Sequence, residues 1–70
     1  MPIDEKIIDD IKEHTDNVQA LQDWLDKLYF DTQLSTVFNR PILSILITGC
    51  RFMIANLAAM KTTYLTKRGG

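Results

Sequence analysis

Ile7, Ile11, His14, Val18, Leu21, Leu25 and Leu28 recur at alternating steps of four and three residues, a heptad seam held over three repeats. Ile3, Ile8 and Tyr29 widen the seam slightly, and most of the remaining positions are polar or charged. The pattern predicts a one-sided amphipathic helix over about residues 4–29. Pro2 is tolerated at a helix start, and Asp4, Glu5, Asp9 and Asp10 set negative charge against the positive end of the helix dipole. Asp16 is a capping residue type, and a cap there would start a new helix at Asn17 and split the segment. Because the seam keeps its phase through His14, Thr15, Asp16 and Asn17, one continuous helix is expected.

From Pro41 to Leu65 the pattern changes, and almost every position is apolar. Leu43, Leu46, Cys50, Met53, Leu57, Met60 and Tyr64 fall on one line at helical spacing. Ile42, Ile45, Gly49 and Phe52 flank that line on one side, and Ile47, Ile54 and Ala58 on the other. The apolar arc covers roughly 200°, against the ~100° stripe of an ordinary surface helix. Ser44, Thr48, Arg51 and Thr62 mark a narrow polar strip. A second helix is expected over about residues 41–66, opened by Asn39 or Arg40 ahead of Pro41 and ending near Lys67 and Arg68. Between the helices, Asp31, Ser35, Thr36 and Asn39 are turn and cap formers. They predict a connector over about 30–40, with Leu34, Val37 and Phe38 in one helical turn that closes an end of the core.

Two helices of matched length and a short connector predict an all-α antiparallel helical hairpin, one domain over residues 1–70. A single core in a chain of 70 residues contributes only about 3 to 5 kcal/mol, and folds of this size usually add a disulfide, a metal or an oligomer. Cys50 is the only cysteine, which excludes an intrachain disulfide, and one Cys with one His is too few for a zinc site. No metal or cofactor is therefore expected. The first helix offers one stripe, enough for about half of the second helix's arc, and the remainder is an exposed patch of the kind that marks an interface. The simplest remedy is a homodimer in which two second helices meet inside a four-helix bundle, with Leu46, Cys50, Met53, Leu57 and Met60 as the self-association residues.

Charge adds a polarity that the near-zero net value hides. All nine carboxylates lie in the first 31 positions, against three lysines there, a net of −6. Beyond them stand Arg40, Arg51, Lys61, Lys67 and Arg68, five cations and no acidic side chain, a net of +5. Folding back sets the Asp4 to Asp10 cluster beside Lys61, Lys67 and Arg68, and Asp23 and Asp26 nearer Arg40. Exposed pairs are worth ~0 to 1 kcal/mol each, so they select the direction of pairing more than they stabilise it. An unpaired thiol on an apolar line suits a reducing compartment, and Met1 to Lys12 is acidic where a secretory leader would be basic and then apolar. The expected location is cytoplasmic.

Few residues offer chemistry. His14 and Cys50 are the one nucleophile and base pairing available, yet both sit on seam lines and no third group orients the base, so no enzyme is expected. A buried His14 would instead make an assembly sensitive to pH. Asn56, on the flank with Ile45 and Phe52, is either a register-fixing interface residue or a water-bonded edge residue. Arg51 lies in the polar strip, as a solvated charge or as a partner for a carboxylate or phosphate. Trp24 projects away from the seam, marking a contact surface or folding over the edge of the bundle. The residues assigned to an outside protein partner are Trp24, Arg51 and the acidic face of Asp9, Glu13, Asp16 and Asp23.

The expected function is that of a small protein-binding regulator, inhibitor or assembly adaptor, its acidic face a mimic of nucleic acid at a basic target. Two alternatives compete. Residues 41–60 have the length of a membrane span, and the cost of Arg51 near the centre, ~2.5 to 3.5 kcal/mol, is matched by about nine strongly apolar residues, which allows a holin-like peptide. A hairpin dimer is also similar in architecture to the plasmid RNA-binding regulator Rop, although no motif is shared and the acidic helix opposes phosphate approach.

Overall fold

The computed structural model describes residues 5–69, with side chains to Lys67; Asp4 and the side chain of Arg68 lie outside the described residues. It is all helical, with three helices and no strand among those residues: α1 (Glu5–Phe30), α2 (Thr32–Phe38) and α3 (Arg40–Gly69). The molecule is a rod of 53 × 16 × 11 Å.

The first helix runs unbroken through Asp16. Its interior holds no Gly or Pro, and the Thr15 hydroxyl, a helix-weakening group, is turned back to donate to the Ile11 carbonyl at 2.7 Å. Ile11, Leu25 and Leu28 are its buried residues. Leu25 and Leu28 pack with Leu43, Ile47 and Cys50 of α3, and Val18 and Tyr29 lie against this cluster. At the other end, Ile7 and Ile11 share an open recess with Met60 and Tyr64. The last turns of α1 thus pack on the first turns of α3, and the first turns of α1 stand across an open recess from the last turns of α3.

The connector is more ordered than its composition suggests. The Asp31 backbone N–H closes α1 by donating to Leu28 O and Lys27 O, and the Asp31 side chain accepts from Leu34 N at 2.9 Å to open α2. One aspartate therefore ends one helix and caps the next. Asn39 repeats the device: at φ 76° it ends α2, while its side chain accepts from Ile42 N at 3.4 Å and its carbonyl from Leu43 N at 3.1 Å. Pro41 falls in the first turn of α3, where its missing N–H costs nothing. The expectation that Leu34, Val37 and Phe38 close the core needs correcting. Val37 is 74% exposed and Phe38 and Leu34 are also exposed, whereas Ser35 is buried. The small Ser35 lets α2 sit close to the helix pair, and its hydroxyl donates to Thr32 O at 3.3 Å, so burial leaves no polar group unbonded.

Candidate association surface

In α3 the side chains divide into three sectors. Leu43, Ile47 and Cys50 are buried and Ile54 and Leu57 half-buried, which sets the face towards α1. Ser44, Thr48, Arg51 and Thr62 form a polar side, all exposed. The third sector is apolar and open: Ile42, Ile45, Leu46, Phe52, Met53 and Met60 are each between 46% and 71% exposed.

The apolar line read from the sequence is therefore split. Of the five self-association residues, Leu46, Met53 and Met60 lie in the open sector. Cys50, 2% exposed, is inside the contact with α1, and Leu57 borders it. The centre of the buried face is rotated by about 40° from the line of Leu43, Leu46, Cys50 and Met53 towards Ile47 and Ile54, at ~100° per residue. Three large residues of the open sector, Ile42, Ile45 and Phe52, stood on the flank of the sequence pattern rather than at its centre.

The residues assigned to an outside partner separate into two places. Asp9, Glu13, Asp16 and Asp23 are all exposed and share a stripe on the side of α1 turned away from α3. Trp24, 55% exposed, stands at the edge of that stripe, and the Gln19 amide donates to Asp23 at 3.1 Å along it. Arg51 is elsewhere. It lines a recess with Asp26, Tyr29, Phe30, Ser44 and Thr48, on the polar side of α3. Arg40, expected near Asp23 and Asp26, lies over the Tyr29 ring at 4.7 Å, with Phe30 edge-on to the same ring.

His14 is exposed and Cys50 is enclosed by Leu25, Leu28, Leu43 and Ile47, so the structure does not bring this pair together as a site. No group of three His, Cys, Asp or Glu side chains is placed to hold a metal among the described residues. Residues 40–67 form a helix long and apolar enough to cross a membrane, with a mean hydropathy of 1.8 in its most apolar window, of which 17% is buried. The dominant chemical feature is thus an uncovered apolar surface. The chain matches no protein-family model, no curated protein and no solved structure.

Proposed function

We propose that the chain is an antiparallel helical hairpin that pairs with a second copy to form a four-helix bundle, a cytoplasmic, non-enzymatic adaptor or regulator that binds a protein partner through its outer surface. The observation that carries the reading is the open apolar sector of α3. In an antiparallel pairing, helix phase puts that sector on the same side of the hairpin as Leu21 and Trp24 of α1, themselves 45% and 55% exposed. The opposite side holds Asp26, Ser44, Thr48 and Arg51. Near the corner the first side is apolar on both helices and the other is polar, whereas further along α1 the first side also carries Lys6, Asp10 and Asn17.

Area supports a second copy as the cover. The chain exposes 5490 Å², whereas a compact monomer of 8.0 kDa exposes about 4,450 Å². The excess is about 1,000 Å², close to the ~800 Å² that one partner contributes to a standard interface. Charge argues against lipid in this conformation. α1 lies along α3 and carries seven carboxylates, Glu5 to Asp26, which would enter the hydrocarbon with it. In the bundle, Asp9, Glu13, Asp16 and Asp23 stay outside, free to meet a basic partner.

Sedimentation equilibrium in detergent-free buffer across a concentration series tests the reading, with a stable dimer as the expected result. A monomer at every concentration overturns it. Aggregation that only detergent cures also overturns it and makes α3 a membrane segment. A salt-sensitive shift of an RNA probe by the dimer would replace the protein partner with nucleic acid.

A further inference from the structure

We infer that the two copies cross at Gly49, the point at which one α3 approaches the other most closely; the inference rests on the dimer proposed above. Glycine is the least favourable residue in a helix interior after proline, so its presence in the middle of α3 calls for a cause. The usual causes within a chain do not apply. Gly49 has no positive φ, and a Cβ built on it would meet nothing within 4 Å.

Its surroundings supply the cause. On a helix surface the neighbours of a residue are those three and four positions away, and for Gly49 these are Ile45, Leu46, Phe52 and Met53. All four are exposed: 69%, 48%, 71% and 46%. Gly49 is therefore the floor of a depression walled by four large apolar side chains that nothing in the chain covers. Without a side chain at the floor, another helix can lower its backbone into the depression and interlock with those walls.

A second copy fits this depression. Ile42, Leu46, Gly49, Met53, Asn56 and Met60 repeat at steps of four and three, the spacing of a helix-to-helix seam. None of the six is charged, so two copies meet here without burying an ion. A twofold axis through Gly49 sets glycine against glycine and lays Phe52 and Met53 of one copy beside Leu46 and Ile45 of the other. Asn56 donates its amide to Phe52 O at 2.7 Å, so this polar side chain is bonded within its own helix at the edge of the seam.

The test compares Gly49→Leu with wild type in sedimentation equilibrium, with helix content followed by circular dichroism. The isolated helix gains from the substitution, because leucine is a strong helix former and finds open space. The dimer loses, because two leucines overfill the crossing, and a rise in dissociation constant of about 100-fold is expected with helix content unchanged or higher. Gly49→Cys in a Cys50→Ala background should form a disulfide-linked dimer under mild oxidation, and Thr48→Cys, on the polar side, should not. A Gly49→Leu dimer as tight as wild type, or crosslinking at Thr48 instead, rejects the crossing and leaves the dimer standing. A wild-type chain that is monomeric or soluble only in detergent rejects both.

Discussion

Leu25→Ala isolates the energy of the contact between α1 and α3. Leu25 is 4% exposed and packs among Leu28, Leu43, Ile47 and Cys50. Truncation removes three carbons, a transfer loss of about 2 kcal/mol at ~0.8 kcal/mol per CH₂. The neighbours are held by two long helices and relax only partly, so the residual cavity adds roughly 1 kcal/mol. The total, about 3 kcal/mol per copy, is most of the ~3 to 5 kcal/mol available to a core of this size, and the variant should keep only about 0 to 2 kcal/mol, with its urea midpoint moved close to zero denaturant. Leu21 is the internal control. It lies one turn earlier on the same seam but is 45% exposed in the single chain, on the side assigned to the second copy, so at a protein concentration low enough to leave the chain monomeric its truncation removes about half as much buried surface and should cost about 1 kcal/mol. Urea unfolding followed by circular dichroism at one fixed protein concentration reads both values. The packing described here is refuted by a loss below about 1 kcal/mol at Leu25, or by Leu21→Ala being the costlier change.

Substitutions at three further positions probe the proposed association face and the corner. Phe52→Gln replaces a 71% exposed aromatic by a better helix former, so helix content should hold while dimer dissociation in a dilution series rises by at least about tenfold. Asn39→Ala should cost about 2 kcal/mol in thermal unfolding, from a lost cap and strain at φ 76°, whereas Asn39→Gly relieves the strain and should stay within about 0.5 kcal/mol of wild type. Asp31→Ala removes the acceptor for Leu34 N and should cost about 1 kcal/mol; hydrogen exchange should quicken in α2 with little change in α1 or α3.

How much of this fold could be read from the sequence depends on how one-sided each segment is. The seam from Ile7 to Leu28 is a single stripe, so its period shows the helix, α1 spanning Glu5–Phe30 against the expected 4–29, and the side that holds Ile11, Leu25 and Leu28, while Ile7, His14 and Leu21 on the same seam remain exposed. The segment after Pro41 is apolar over more than half its circumference, and there the period shows a helix without showing which third of it meets α1. Cys50 and Leu46 look equivalent on that line; packing separates them, with one enclosed and the other half open. The connector carries its expected helical turn, but the residues expected to close the core there are wrong for another reason. Asp31 and Asn39 were legible as caps, yet the burial of Ser35 in place of Val37 or Phe38 depends on how α2 is tilted against the helix pair, and no periodic signal exists in seven residues.

The same asymmetry explains why an apolar sector of α3 stays uncovered. One helix can cover only about a third of another's circumference, and α1 does so along Leu43, Ile47, Cys50 and Ile54. A helix apolar over roughly 200° therefore keeps a second sector of similar width uncovered whatever α1 does. Stronger packing between α1 and α3 would not reduce it, because the two sectors point in different directions from one axis. The acidic stripe of α1 cannot fill the gap, since it faces away from α3. Under the proposed dimer the cover comes from a second copy, and a line without charge along Ile42, Leu46, Gly49, Met53, Asn56 and Met60 suits another helix of its own kind better than a charged ligand.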